Sequence, residues 1–155
     1  MSYILLFEGG FSDVLDDPGG ATNYGITQQT YDEYRFNKNY KQQSVKYITM
    51  EEVYDCYYKT YYLKSGCDTL PPVISFVHMD ASINFGILKS KKLLLQTLND
   101  VKIDSSNDKE MAIKYIDTRE QERYNIVKRN EKKRKFLRGW LNRDEKIKNI
   151  ILTPY

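Results

Sequence analysis

Histidine, cysteine and long apolar runs are what this chain has least of. One histidine, His78, in 155 residues means that a zinc site would have to combine a single imidazole with cysteines and carboxylates that show no recognised ligand spacing. His78 is therefore read as a core residue with satisfied ring nitrogens, and no metal is expected. The two cysteines, Cys56 and Cys67, are too few and too close for a disulfide framework and form no CxxC motif. No apolar run approaches the length that spans a bilayer, so stable membrane insertion is not expected. The opening MSYILLFEGG carries a five-residue apolar run without a basic flank or a small-residue cleavage pattern, which does not read as a secretory signal. Internal repeats and low-complexity tracts are missing too.

What is present suits an ordinary globular chain: 41% apolar and 29% charged residues, in a length that fits one domain. The net charge of +3 is unevenly placed. The first twenty residues carry Glu8, Asp13, Asp16 and Asp17 with no Lys or Arg, whereas KRNEKKRKFLR, residues 128–138, is strongly basic. That run reads as a solvated helix face or as an attraction towards anionic envelope polymers. Since no nucleic-acid motif accompanies it, no nucleic-acid partner is expected.

Helical patterning dominates after residue 27. Thr27 is placed to cap a helix over about 28–36 that carries Tyr31 and Tyr34. Thr49-Met50-Glu51-Glu52 is a capping box, followed by Val53, Tyr54, Tyr57, Tyr58 and Tyr61 at helical spacing. Pro72 suits a first helical position, and Val73, Phe76, Val77, Asp80, Ala81 and Asn84 trace one face before Gly86 stops the helix. A helix over 87–98 follows. Ser106 or Asn107 then opens a long one with a stripe of Ile113, Ile116, Tyr124 and Val127 and a charged middle, TREQER, where a bend or break is expected. The last element, about 136–151, places Phe136, Leu137, Trp140 and Leu141 at core spacing, with Trp140 as a core anchor.

The chemistry concentrates in FEGGFSDVLDDPGGATNYGIT, residues 7–27, which holds five of the eight glycines beside four carboxylates. Asp17-Pro18-Gly19-Gly20 is strong turn chemistry and predicts a short hairpin or irregular loop. Glu8 ends an apolar segment, and partial desolvation raises a carboxyl pKa until the group can stay protonated near neutrality. Glycines beside it let an extended polymer lie against backbone. Glycoside hydrolysis needs such an acid and usually a second carboxylate. Asp17 is the candidate for that role, or is turn chemistry; Thr22 holds a water or ties the hairpin. Tyr24, inside the motif, is a candidate substrate contact. Asp80 and Asn84 share a helix face and either floor a cleft or belong to a buried hydrogen-bond network.

The order Glu8-Gly9-Gly10, Asp17-Pro18-Gly19-Gly20-x-Thr22, Gly25-Ile26-Thr27 resembles glycoside hydrolase family 108, the lysozyme-like N-acetylmuramidases of phages and bacteria. The segment with Asp80, Asn84 and Gly86 and the pair Leu95-Gln96 resemble the same family, and Gly139-Trp140-Leu141-Asn142-Arg143 resembles its predicted peptidoglycan-binding half. Asp13-Val14-Leu15 stands where the family often has Asn-Asp-Pro. The order Glu, Asp, Thr is also similar to that of phage-type lysozymes, with Thr22 one residue nearer the Asp.

The resemblance implies a mainly α, lysozyme-like fold with a small β-hairpin lobe beside the cleft. It implies one domain over 1–155, with the catalytic motif and core helix in 1–86 and a peptidoglycan-binding-like helical half in 87–155. The implied activity is cleavage of the β-1,4 bond between N-acetylmuramic acid and N-acetylglucosamine by a monomer. Glu8, Asp17 and Thr22 would be catalytic, and Gly20, Tyr24, Gly25, Asp80 and Asn84 would contact substrate. No metal or organic cofactor is implied, and the setting would be a host cytoplasm until release to the wall. Lytic transglycosylase chemistry, or an idle wall-binding or phage structural module, are the rival readings.

Overall fold

The computed structural model describes residues 10–12, 20–99 and 104–153. They fall into two compact units, Met1–Thr60 and Tyr61–Tyr155.

Among the described residues of the first unit, a two-stranded antiparallel hairpin comes before the helices, β1 (Thr22–Asn23) and β2 (Ile26–Thr27), in the register Thr22 with Thr27 and Asn23 with Ile26. Ser12 adds a bridge to Thr22 through two 2.8 Å backbone hydrogen bonds. Helix α1 (Gln28–Asn37) starts where its cap predicts, with the Thr27 hydroxyl accepting from the Thr30 amide. Helix α2 (Met50–Tyr57) starts at the capping box, with Thr49 and Glu52 satisfying each other's backbone amides. Tyr31 and Tyr34 face inward from α1 and donate to Glu52 at 2.8 Å and Asp55 at 3.0 Å on α2. The helix pair is thus joined by buried rings whose hydroxyls are satisfied. Beyond α2 the chain continues in a π-helical turn, Tyr58–Leu63.

Among the described residues of the second unit the α-helices are α3 (Pro72–Phe85), α4 (Ile87–Leu98), α5 (Asp108–Arg129) and α6 (Arg134–Leu152). Pro72 occupies the first turn of α3, and the orphan amides of Val73 and Ile74 donate to the Asp108 carboxylate at 2.9 and 2.8 Å. Gly86, at φ 80°, turns the chain straight into α4. Helix α3 lies against both α4 and α5, and α5 against α6.

Helix α5 runs unbroken through TREQER, where the sequence predicted a bend. Arg119 and Arg123 continue the inward face of Ile116 and Val127, and each is paired with a buried aspartate, so the charges join the helix to the core instead of interrupting it. Tyr124, expected on the apolar stripe, is half exposed. In α6 the buried positions are Asp144, Ile147 and Ile151, while Phe136 is exposed and Trp140 only partly covered. The core face lies one to two turns later than the aromatic spacing suggested.

His78 is fully buried, with Nε2 donating to the Ser65 carbonyl at 3.3 Å and Nδ1 2.9 Å from the Tyr115 hydroxyl. Burial lowers its pKa to about 4. A group whose folded pKa lies below its unfolded value of about 6.5 contributes stability above that pH and loses it as pH falls towards 4. Stability is expected to drop by on the order of 3 kcal/mol over that window beyond what carboxylates contribute. Urea denaturation of wild type and His78→Gln at pH 7 and pH 4.5 checks this: the difference between the two proteins must shrink at the lower pH.

Cys56 and Cys67 are buried free thiols. Burial pushes Cys56 up to about 12 and raises Cys67 as well, so neither is a thiolate near neutrality.

Candidate active site

Glu8 and Asp17 lie outside the described residues. Of the opening motif, Thr22, Tyr24 and Gly25 lie in the hairpin and Gly20 two residues before it. Tyr24 and Gly25 form its two-residue loop, with φ of 49° and 72°. Both values are positive, as the tightest hairpin turn requires, and glycine meets that requirement without strain while tyrosine does not. Gly20, at φ 65°, is a second position in the left-handed region.

Three side chains, Tyr57, Asn23 and Gln28, anchor the hairpin around this strained loop. The Tyr57 hydroxyl donates to the Tyr24 carbonyl at 2.6 Å. Asn23, nearly buried, donates through Nδ2 to the carbonyls of Val45 and Lys46 at 3.2 Å each. Gln28, at the end of the hairpin, accepts from the Val45 amide at 2.7 Å and donates to the Gln43 carbonyl at 2.9 Å. The sequence reading gave Asn23, Gln28 and Tyr57 no role at the site. The signal available was only that Asn23 precedes a Tyr-Gly turn, where a side-chain amide can serve as an anchor.

The loop geometry gives a test in which stability and activity part company. Tyr24→Asn places a residue that tolerates positive φ at the strained position, and is expected to stabilise the first unit by roughly 0.5–1 kcal/mol. If the Tyr24 ring contacts substrate, the same change lowers hydrolysis several-fold. Denaturation and turnover measured on one preparation report both.

Asp80 and Asn84 belong to the second unit, on α3. Asp80 is fully buried, and both of its oxygens are occupied: Oδ2 accepts from Arg119 at 2.6 Å and Oδ1 from Arg143 at 2.7 and 3.0 Å. Arg119 also donates to Asp144 at 2.7 Å and to the Val77 carbonyl at 3.3 Å, and Arg123 holds both oxygens of Asp144. Of the two readings left open by the sequence, this geometry is the buried network, and a substrate could reach Asp80 only by breaking it. Burial alone would raise the Asp80 pKa, but the guanidiniums of Arg119 and Arg143 outweigh it and hold the carboxyl below its ordinary value. The network is therefore charged near neutrality. Asn84 is exposed, and its amide donates to the Asp80 carbonyl at 2.8 Å.

The tyrosines of the first unit divide between core and surface. Tyr31 and Tyr57 are fully buried, while Tyr40, Tyr54 and Tyr58 are exposed on a groove of about 840 Å³. Its charges are largely matched, Arg35 to Glu52 at 2.7 Å and Lys38 to Asp55 at 2.8 Å. Among the described residues no three of His, Cys, Asp and Glu converge as a metal site would need.

A helical body with a two-stranded hairpin is the architecture of a lysozyme-like protein, and the comparisons narrow this class. A family model described as Glycosyl hydrolase 108 matches residues 1–86, more than half of the chain, and the chain belongs to that family. It is a glycoside hydrolase. In structure it is similar to Brucella abortus SagA, with a TM-score of 0.73 and 27% sequence identity over 98% of this chain and 91% of that one. No curated protein matches it.

Proposed function

We propose that the protein is a peptidoglycan hydrolase that cleaves the β-1,4 bond between N-acetylmuramic acid and N-acetylglucosamine, with Glu8 as general acid. The observation that carries this reading is the family match over residues 1–86, which contains the whole Glu8 to Thr27 motif. A protonated Glu8 gives its proton to the leaving glycosidic oxygen as the C–O bond breaks. Asp17 takes a proton from the attacking water, and Thr22 orients that water from the hairpin. Water then supplies the hydroxyl at the new reducing end, and the proton passed to Asp17 balances the one that Glu8 gives up.

The hairpin supports the proposal physically. A rigid turn anchored by Asn23 and Tyr57 keeps Thr22 in a fixed position, and fixed positioning is worth more to catalysis than a mobile contact. The segment ending in Gly139-Trp140-Leu141-Asn142-Arg143 is proposed to assist wall binding. Incubation with purified peptidoglycan tests the proposal against an idle binding module: suspension turbidity falls if the protein hydrolyses the wall. Co-sedimentation with undiminished turbidity would support the idle module.

A further inference from the structure

The second unit contains a pocket of about 380 Å³ whose lining cations outnumber its carboxylates. Glu122, nearly buried, accepts from Lys89 at 2.8 Å and Arg129 at 2.5 Å, so one negative charge is divided between two positive ones. Arg123 lies 4.8 Å from the Phe85 ring and 5.7 Å from the Trp140 ring, and its Asp144 partner is shared with Arg119. Lys133, exposed, adds a further cation to the lining. Positive charge thus exceeds negative charge in a concavity walled partly by aromatic rings.

We propose that this pocket binds the carboxylate-bearing peptide stem of peptidoglycan, with Lys89, Arg129 and Lys133 drawing a stem carboxylate and Trp140 and Phe85 packing its aliphatic parts. The proposal rests on the peptidoglycan reading above and adds selectivity for strands that still carry their stems. Charge decides the ligand class. A neutral sugar leaves the surplus of cations uncompensated, whereas a carboxylate forms charge-assisted hydrogen bonds with them. Size agrees, because the volume is near the lower end for ligand pockets and suits a few amino acid residues. The tyrosine groove of the first unit lacks such a surplus, since its lining sets Arg35 and Lys38 against Glu51, Glu52 and Asp55.

Isothermal titration calorimetry on the intact chain at low salt tests the proposal with three probes: a synthetic acidic stem peptide, the same peptide with its carboxylates amidated, and inorganic phosphate. The acidic peptide is expected to bind at least about tenfold more tightly than the amidated one. Lys133→Glu should weaken it by about fivefold or more, as reversal of an unscreened rim charge does at low salt. An unchanged thermal unfolding curve shows that this surface variant is folded; Lys133→Gln, with a smaller loss, replaces it if it is not. Equal affinity for the acidic and amidated peptides overturns the proposal. So does an affinity untouched by the Lys133 variants, or phosphate competing as well as the peptide, which would leave an adventitious anion site only. The free peptide has no glycosidic bond, so its binding and wall hydrolysis fail independently. Stem binding without hydrolysis would remove the enzymatic reading, and hydrolysis without stem binding would remove the pocket alone.

Discussion

Glu8→Gln is expected to abolish wall hydrolysis, with a loss on the order of 10²–10⁴-fold, while the protein remains folded. Glutamine keeps the size of the side chain and a hydrogen-bonding end but cannot deliver a proton to a glycosidic oxygen. That transfer is the step the proposed mechanism assigns to the carboxyl that follows Tyr3-Ile4-Leu5-Leu6-Phe7 in the sequence. The effect should appear in turnover and leave sedimentation with peptidoglycan intact, since the uncharged amide still occupies the site. A variant that clears a peptidoglycan suspension at close to the wild-type rate would mean that another group is the acid.

Asp144→Ala is expected to cost about 3–5 kcal/mol of stability. The carboxylate accepts from Arg119 and Arg123, which are both buried, and its removal leaves two guanidiniums in the interior with only Asp80 to offset them. Burying unpaired cations is what makes the change severe; the lost packing volume is small. At roughly 2–4 °C per kcal/mol for a chain of this size, the melting temperature should fall by about 6–20 °C. Acid should act on the partner carboxylate in the same direction. The lowered pKa of Asp80 means that its contribution is present above the ordinary carboxylate range and is lost as pH falls through the folded value. Chemical denaturation of Asp144→Ala at neutral pH decides the point, and a loss under about 1 kcal/mol would show that the network adds little to stability.

The network also marks where sequence reasoning reached its limit. Local signals were legible because they act locally: the Thr49 capping box, Pro72 at the start of α3 and Gly86 at its end each set backbone geometry within a few residues. TREQER misled because charge on a helix usually means solvent. Here Arg119 and Arg123 sit three and seven positions after Ile116, on the inward stripe, and their partners Asp80 and Asp144 come from two other helices. A single helix read alone does not reveal a charge that is neutralised 21 to 39 residues away. Trp140 misled for a related reason. Its spacing with Phe136 and Leu137 suggested core, yet it lines the cationic pocket beside Arg123, and Asp144, Ile147 and Ile151 turn inward instead. The glycines predicted a turn at Asp17-Pro18-Gly19-Gly20, of which only Gly20 is among the described residues, whereas the described hairpin turns at Tyr24-Gly25. The role of Asn23 and Tyr57 in bracing a strained Tyr24 depends on long-range hydrogen bonds that no spacing encodes.

Mass spectrometry of the soluble fragments from digested peptidoglycan tests the central claim most directly. Hydrolysis at the muramic acid bond adds one water and leaves N-acetylmuramic acid at the reducing end of each fragment, a product that borohydride reduces. This is the predicted outcome. Anhydro-muramic ends, lighter by one water and resistant to borohydride, would show that the chain is a lytic transglycosylase, and N-acetylglucosamine at the reducing ends would place the cleavage at the other glycosidic bond.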